Sequence, residues 1–555
     1  MVVGSCSGLL SHLEVLVIDC QATGAAPQGH LLEIGWARAG VRTTDAYARL
    51  IAVPNGQRIP PAVARLTGIS ERMVQGGVAA DVAWRELSIE AARLAMQPAP
   101  TVIHFARFEQ PFLRGLAGGE PLFDIVCTHD IARRLLPDLP RCGVRALAGY
   151  FGRGVGTLRR SADHVAATAF VWRELVRLLE DEGLSTWSAL QQWLALGRAT
   201  RRKRRVWPMP RAVRLSVPDA PGIYRMLRTS GDVLYVGKAA SLRHRVNSHF
   251  RKQNGMHERT LEMLSQARGI SFDVTPSALE AALVEPDEIK QHRPPYNIAL
   301  TIGDRALWFA PPNLSARSAH PSPRCPLGPF PSAGMLDEFG ALAGADRGAL
   351  GSGRWRPDAA TFEAGYARLC ASHAELAGLK ACTTTARHDL GAHEKFLRLG
   401  TRLWKEGRRD HDVDADEETR AITTWTAELV QRSLEWLSLR AALARRRAIW
   451  LTRLVDASVV WAELCSAGAR LIVVENGEVL LRDNVEANAP PPIPPGCARP
   501  ISARREVFTV ARFDRLRVLS TELKRLAAAG APVAVRLGPG PPLADTRLAS
   551  VLWWV

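Results

Sequence analysis

The segment from residue 218 to residue 300 contains two tyrosines, followed by a lysine and an arginine. Together these side chains could activate a water molecule by removing its proton. Tyr224 and Tyr235 lie in short apolar runs separated by Gly231-Asp232, which predicts a hairpin carrying both phenols. Lys238 follows the second run, and Arg245 comes seven residues later where cations recur at helical spacing. A cation beside a phenol favours the phenolate, which is a competent base.

Six separated polar positions of this segment match one nuclease family. They are Tyr224, Tyr235, Lys238, Arg245, Glu285 and Asn297. Glu285 ends an apolar stretch that predicts a helix, and Asn297 closes the unit after Pro295-Tyr296. The segment resembles the GIY-YIG nucleases, and more narrowly the N-terminal half of the excinuclease subunit UvrC and its short homologue Cho. The resemblance extends to residues 328–334.

The resemblance implies that Glu285 binds a metal ion and that the other five residues are catalytic. A carboxylate with few competing ligands can hold one Mg²⁺ or Mn²⁺ against a non-bridging phosphate oxygen and the leaving oxygen. We predict Tyr235 as the base and Tyr224 as its assistant, because a phenol with an ordinary pKa of about 10 needs nearby cations to lose its proton. Arg245 could instead neutralise the pentacovalent phosphate directly.

The residues ahead of this unit resemble a second family, the DnaQ-like exonucleases, over roughly residues 13–178. Residues 17–24 match the strand motif Asp-x-Glu-x-Thr-Gly, residues 66–74 match a later turn, and residues 104–109 correspond to the second motif. The apolar runs Val15–Asp19, Leu31–Gly35 and Ala46–Val53 predict adjacent strands. We therefore expect an α/β domain with an RNase H-like exonuclease fold.

The exonuclease motifs of this chain are incomplete. That family holds two metals on four carboxylates and uses a histidine as base, yet Gln21 stands where a glutamate is expected after Asp19, and Glu109 replaces an aspartate. Asp163 and His164 are adjacent, whereas the family pattern separates them by five positions. The sequence predicts a degenerate site and a domain that binds DNA or a replication or repair protein. The alternative is a 3′–5′ exonuclease using Asp19, Glu109 and Asp163.

The charge balance favours a polyanionic partner. The chain has 72 Lys plus Arg against 55 Asp plus Glu and a net charge of +17, so nucleic acid is the first candidate and an acidic membrane surface the second. No run of about eighteen apolar residues occurs, and we expect a cytoplasmic protein without a membrane partner. The predicted DNA contacts are Arg201, Arg202, Lys203, Arg204, Arg205 and Arg243. For the basic run 201–205 a solvated tether is the commoner role of such charges, and a dedicated DNA contact is the alternative.

The sequence predicts an α/β multidomain chain. Its expected segments are the exonuclease-like domain (1–180), a basic linker (181–217), the GIY-YIG domain (218–300), a Pro- and Ser-rich connector (301–350), a helical region (351–465) and a small α/β C-terminal region (466–555). We expect the part beyond Gly334 to bind and position DNA without supplying catalytic groups. Truncation after Leu300 should then spare nicking at saturating DNA.

The expected function is metal-dependent DNA nicking. Resemblance to UvrC and Cho implies that the substrate is damaged DNA in nucleotide excision repair, with a UvrB-like partner as a candidate loader. The rival hypothesis is a non-catalytic DNA-binding adaptor that retains only the GIY-YIG shape.

Overall fold

The structure is a computed structural model in which the chain divides into two compact units. It describes residues 8–41, 43–54, 57–118, 123–197, 206–251, 255–298, 306–342, 357–379, 390–407, 425–462, 468–498 and 508–552. The N-terminal unit comprises residues 1–278 and 292–298, and the C-terminal unit comprises residues 279–291 and 299–555. None of the described helices is both long and apolar enough to cross a membrane.

A five-stranded mixed sheet forms the centre of the front domain. Its strands are β1 (Val15–Ala22), β2 (Leu31–Ala39), β3 (Tyr47–Leu50), β4 (Ala99–Ile103) and β5 (Phe123–Cys127), in the order β3-β2-β1-β4-β5. β2 is antiparallel to β1 and β3, whereas β4 runs parallel to β1 and β5. The three adjacent strands predicted from the apolar runs are therefore confirmed.

Eight helices accompany this sheet in the described part of the front domain. They are α1 (Pro61–Thr67), α2 (Glu71–Gln75), α3 (Ala80–Ala92), α4 (Ala106–Ala117), α5 (Thr128–Leu135), α6 (Val144–Tyr150), α7 (Ser161–Asp181) and α8 (Trp187–Ala195). Helix α8 falls in the predicted linker, but Trp187 and Leu190 are buried in the front-domain core. Residues 187–195 are thus part of the front domain, because their apolar face is covered by that core.

A three-stranded antiparallel sheet carries the two tyrosines. β6 (Gly222–Leu227) lies between β7 (Val233–Ala239) and β8 (Gly269–Val274), and helices α9 (Arg211–Leu215), α10 (Leu242–Arg251) and α11 (Glu258–Gln266) accompany it. The β6–β7 pair is the predicted hairpin, with Tyr224 opposite Gly237. Met209 and Val217, both in the predicted linker, are buried in the core of this domain.

Helices α6 and α11 join the front domain to the GIY-YIG domain within the N-terminal unit. The Arg141 backbone N–H donates to Ser265 Oγ at 3.0 Å, and an Arg145 guanidinium nitrogen lies 3.2 Å from Glu262 Oε1. Gln266 is fully buried, and its Oε1 accepts from Arg228 Nε at 3.1 Å and Nη2 at 3.0 Å. A buried, hydrogen-bonded side chain of this kind resists displacement.

We expect Gly149→Ala to destabilise this contact. A Cβ on Gly149 would lie 1.8 Å from Gln266 Oε1, and moving Gln266 would break its bonds to Arg228. The free energy of unfolding should fall by about 1–3 kcal/mol, as for other overpacked sites. Urea unfolding measures this, with Gly156→Ala as the control because its added Cβ meets nothing within 4 Å. If Gly149→Ala and Gly156→Ala have the same free energy of unfolding, the predicted clash between residue 149 and Gln266 is wrong.

The C-terminal unit begins with most of helix α12 (Ala278–His292). A short strand pair, β9 (Trp308–Ala310) and β10 (Leu327–Phe330), and four helices follow: α13 (Gly334–Ala341), α14 (Ala359–Ser372), α15 (Leu390–Lys405) and α16 (Ala427–Leu454). These helices share one apolar core, in which Phe339, Phe396 and Leu434 are fully buried. The predicted helical region is therefore present.

A second five-stranded sheet ends the chain. β11 (Ala457–Trp461), β12 (Ala469–Glu475), β13 (Glu478–Val485), β14 (Val533–Arg536) and β15 (Leu543–Ala544) lie in the order β13-β12-β11-β14-β15, with helices α17 (Val510–Ala528) and α18 (Asp545–Leu552). Asn476 and Gly477 both have positive φ at the β12–β13 turn, as the predicted Asn-Gly hairpin requires. The predicted α/β C-terminal region is present.

Candidate active site

Three aromatic rings form a cluster on the β6–β7 hairpin and helix α10. The Tyr224 and Tyr235 ring centroids are 6.1 Å apart, and His249 lies 6.0 Å from the first and 5.9 Å from the second. Tyr224 is fully buried, whereas Tyr235 is partly exposed. Of the two tyrosines, only Tyr235 is therefore accessible from the surface of the domain.

His249 is a member of the cluster that the sequence analysis missed. Its Nε2 lies 2.7 Å from the Tyr224 hydroxyl. Burial, assisted by the positive charge of Arg245, lowers the pKa of His249 from 6.5 to about 4. The imidazole is thus neutral at neutral pH and can accept the Tyr224 proton in a hydrogen bond. Its position four residues after Arg245, on one helix face, is the signal that could have identified it.

The depressed pKa of His249 predicts a pH-dependent stability. Between about pH 6.5 and about pH 4 the unfolded chain binds a proton at this residue that the folded chain does not, so the free energy of unfolding should decrease as the pH falls through that range. Urea midpoints at a series of pH values would detect the slope, and His249→Gln should reduce it. An unchanged slope in the variant would show that His249 does not titrate in this way.

Arg245 joins the two phenols electrostatically. The pKa of its guanidinium is raised, first by the charge interaction with Tyr224, then by Tyr235 and by hydrogen bonds to both hydroxyls. By reciprocity, the same cation favours the phenolate form of either tyrosine. The structure thus brings together three of the predicted residues, Tyr224, Tyr235 and Arg245.

Gly237 is required for the two tyrosine rings to pack. A Cβ at this position would lie 2.7 Å from Tyr224 Cζ and 2.8 Å from Tyr235 Cε1. Glycine is therefore the residue type that leaves room between the strand and both rings. This gives a physical reason for a glycine two residues after the second tyrosine.

Gly237→Ala should displace the tyrosines. We expect the free energy of unfolding to fall by about 1–3 kcal/mol, since a buried ring must move. Gly269→Ala on strand β8 of the same sheet is a matched control, because its Cβ would meet only Leu227 Cβ at 3.9 Å. If urea unfolds both variants alike, the packing explanation is wrong.

Asn297 holds the backbone beside Tyr235. Its Oδ1 accepts from the Val236 N–H at 2.9 Å, and its Nδ2 donates to the Val236 carbonyl at 2.9 Å. Strand β7 is at the edge of its sheet, so this amide supplies hydrogen bonds that a further strand would otherwise make. The contacts place Asn297 as a positioning residue of β7.

The other predicted nuclease residues lie on β7, α10 and α12. Lys238 lies near the end of β7 and is partly exposed. Glu285 is partly exposed on α12, directly before Pro286, and α12 is grouped mainly with the C-terminal unit. Arg243 donates from Nε to the Val217 carbonyl at 2.9 Å. The predicted contacts Arg201 to Arg205 lie outside the described residues.

The predicted exonuclease residues partly converge in the front domain. His164 Nδ1 lies 3.6 Å from Asp19 Oδ1, and Gln21 Nε2 donates to Asp19 Oδ2 at 2.8 Å. Burial raises the pKa of Asp19 and, more strongly, that of Glu109, whose pKa the Asp19 charge raises further. The Gln21 amide thus donates a hydrogen bond to Asp19 at the position where the exonuclease motif has a second carboxylate.

Asp163 is predicted as a residue of the exonuclease site, but in the structure it caps a helix. Its Oδ2 accepts from the Arg160 backbone N–H at 3.3 Å in a capping box at the start of α7. Across the described residues, no group of three or more His, Cys, Asp or Glu side chains is arranged to hold a metal ion. In this structure Asp163 therefore caps helix α7.

Comparison with known proteins identifies the family of one domain. Residues 220–298 match the family description of the UvrC-like GIY-YIG domain. A putative bifunctional exonuclease/endonuclease protein of Mycobacterium tuberculosis is 31% identical over 354 residues, which are 60% of this chain and 52% of that protein. UvrABC system protein C of Psychrobacter arcticus is 39% identical over 133 residues, 22% of this chain and 21% of that protein. The chain therefore spans about half or less of these relatives.

Two solved structures are similar to separate parts of the chain. The magnesium-bound GIY-YIG N-terminal endonuclease domain of UvrC from Thermotoga maritima is 29% identical and covers 16% of this chain and 100% of that chain, with a TM-score of 0.15. Exonuclease X in complex with 5′ overhanging duplex DNA is 23% identical and covers 32% of this chain and 96% of that chain, with a TM-score of 0.24.

Proposed function

Residues 220–298 form a UvrC-like GIY-YIG domain, and on that premise we propose that this chain is a metal-dependent DNA endonuclease. The observation that supports the proposal most is the cluster of Tyr224, Tyr235 and His249 with Arg245 against both phenols. A scaffold kept only for shape would have no need of two phenols held beside one guanidinium.

Tyr235 is the proposed general base, because it is the partly exposed phenol and Arg245 favours its ionised form. It removes a proton from the water that attacks phosphorus. Tyr224 stays buried, and its hydroxyl is held by His249, so it orients Arg245 and the hairpin rather than meeting the substrate. Lys238 and Arg245 counter the charge that accumulates on the phosphate.

The donor chemistry of Glu285 fits a hard divalent cation. Mg²⁺ is commonly held through one or two carboxylates, with water and substrate phosphate oxygens completing its shell, and a single glutamate meets that need. When bound there, Mg²⁺ or Mn²⁺ would stabilise negative charge on the non-bridging and leaving oxygens. Glu285 is the side chain we assign to hold it.

The proposed substrate is damaged duplex DNA, incised in nucleotide excision repair with a UvrB-like protein as a candidate partner. This follows from similarity to UvrABC system protein C, and the net charge of +17 supports binding to a polyanion. The rival adaptor hypothesis differs in one measurable respect, which is that an adaptor would not cut DNA.

The front domain is proposed to bind DNA. The Phe105 side chain is 44% exposed. Its backbone has a φ of 65°, which is a strained conformation for a residue of this size. Its ring stacks on His129 with centroids 4.2 Å apart and 29° between planes. An exposed aromatic face next to the exonuclease-like residues is a surface on which a base can stack.

Plasmid nicking tests the proposed function. Supercoiled plasmid, either untreated or ultraviolet-irradiated, is incubated with the full chain in Mg²⁺ or Mn²⁺ and in excess EDTA. We expect open circles only with metal, and more of them from the irradiated plasmid. Binding of both plasmids without any open circles in either metal would support the adaptor instead.

A further inference from the structure

The helix that carries Glu285 is built into the C-terminal unit. Residues 279–291 of α12 group with residues 299–555. Leu279 and Leu283 are each 1% exposed and belong to the apolar core of the C-terminal sheet, which also includes Val459 and Phe513. The sequence alone assigns α12 to the GIY-YIG domain, so this packing is a finding of the structure.

Three ion pairs also join α12 to strand β12 and helix α17. Arg470 of β12 reaches Glu280 Oε1 with Nε at 2.9 Å and Nη2 at 2.7 Å, and the Glu280 side chain is only 4% exposed. Arg515 of α17 donates from Nη2 to both carboxylate oxygens of Asp287, at 3.1 and 2.9 Å. Lys290 Nζ lies 3.4 Å from Asp514 Oδ2, and both side chains are largely buried.

These contacts occupy one face of α12, and Glu285 lies on the other. With 3.6 residues per turn, positions 279, 280, 283, 287 and 290 fall within one sector of the helix, and position 285 lies roughly 170° from its centre. The C-terminal unit therefore contacts the face of α12 that lies opposite position 285.

Pro286 explains why the helix needs support at this point. A proline inside a helix removes one backbone hydrogen bond and crowds the carbonyl four residues earlier, at a cost of about 3 kcal/mol or more. Glu285 directly precedes Pro286. Glu280 is bound before it and Asp287 after it, so the ion pairs span the weakened turn.

We propose that the C-terminal sheet and helix α17 position the metal-binding helix of their own unit, in which Arg470 and Arg515 fix α12 and thereby hold Glu285 for the divalent cation. This inference rests on the proposed function, which makes Glu285 the metal ligand. It revises the expectation that truncation after Leu300 spares the chemistry, because truncation would expose Leu279 and Leu283 and remove every ion-pair partner named above.

Metal binding without DNA tests the proposal. Mn²⁺ binding to the full chain is measured by electron paramagnetic resonance, and plasmid nicking is then measured against Mn²⁺ concentration. For Arg470→Met combined with Arg515→Met we expect about tenfold weaker Mn²⁺ binding, as when outer-shell partners of a metal ligand are lost. The Mn²⁺ concentration for half-maximal nicking should rise equally, whereas the rate at saturating Mn²⁺ should stay within about twofold.

Two further variants control for fold and charge. Arg512 lies on the same helix and donates to Glu478 at 3.1 Å, and Glu478 is also a partner of Arg515. Arg512→Met therefore removes a similar charge without removing the bond between Arg515 and Asp287, so it should leave Mn²⁺ binding unchanged. If the double variant unfolds, Arg515→Met alone remains informative, because its partner Asp287 is 48% exposed and tolerates hydration. It should weaken Mn²⁺ binding about threefold, and Arg515→Lys should restore part of the loss.

Unchanged Mn²⁺ affinity in folded Arg515→Met and in the double variant would overturn the positioning role. Glu285→Gln separates this failure from failure of the proposed function. If Glu285→Gln loses Mn²⁺ binding while the arginine variants keep it, only the positioning role is wrong. If Glu285→Gln binds Mn²⁺ like the wild type, the assignment of the metal ligand itself is wrong.

Discussion

Replacing Glu285 by glutamine is expected to lower the rate of DNA nicking by about a thousandfold or more at saturating DNA, because the neutral amide no longer holds the cation that stabilises the transition state. The change is isosteric and lies on the helix face opposite the C-terminal contacts, so the fold should be preserved. Rates of conversion of supercoiled to open-circle plasmid in Mg²⁺ measure the effect.

Glu288→Gln is the matched control for this variant. It removes the same charge from the same helix, one turn nearer the C-terminus, and should nick within about threefold of the wild type, the order expected of a surface charge. Comparable losses in the two variants would indicate that general charge on α12, not a ligand at position 285, accounts for the effect.

Tyr235→Phe is expected to give the second-largest effect, a decrease of about 10²- to 10⁴-fold in nicking rate, which is the usual contribution of a general base. The phenyl ring keeps the packing against Tyr224 and His249, so stability should change little. DNA affinity and Mn²⁺ affinity should also be preserved, because neither depends on the phenol oxygen. Single-turnover nicking with each variant pre-bound to DNA isolates this step.

Tyr224→Phe provides the comparison that separates the roles of the two phenols. It loses the 2.7 Å hydrogen bond to His249, but Tyr224 is fully buried, so we expect a smaller loss of rate and a larger loss of stability than for Tyr235→Phe. If Tyr224→Phe lowers the nicking rate more than Tyr235→Phe does, Tyr224 is the base instead.

Local chemistry explains which parts of the site were predictable. The Tyr224–Tyr235 hairpin depends on neighbouring apolar runs and a turn, and Arg245 follows on the next helix, so all three are fixed by short-range order. The same holds for the Asn476-Gly477 hairpin, whose turn residues adopt positive φ. A pattern of this kind is visible in one sequence without knowledge of distant contacts.

Long-range contacts explain what was not predictable. Glu280 and Arg470 are 190 positions apart, and Asp287 and Arg515 are 228 apart, so nothing near α12 in the sequence indicates that the C-terminal region holds it. The contact of Gly149 with Gln266 also joins residues that are far apart in sequence. Resemblance to the last exonuclease motif predicts Asp163 as a residue of the degenerate site, whereas its position at the start of α7 favours helix capping.

His249 was missed for a different reason. A single histidine in a basic helix carries no specific pattern, and its importance arises only when Tyr224 and Tyr235 are placed around it by the hairpin. Its lowered pKa is likewise a product of burial in the folded domain.

The most direct test of the central claim determines which of the two nuclease-like domains cuts DNA. Wild type, Glu285→Gln and Asp19→Ala are compared on supercoiled plasmid and on single-stranded DNA with a labelled 3′ end. We predict that wild type and Asp19→Ala nick the plasmid at similar rates in Mg²⁺, that Glu285→Gln does not, and that none releases labelled mononucleotides efficiently. Cleavage that survives in Glu285→Gln and disappears in Asp19→Ala would contradict the account and assign the activity to the front domain.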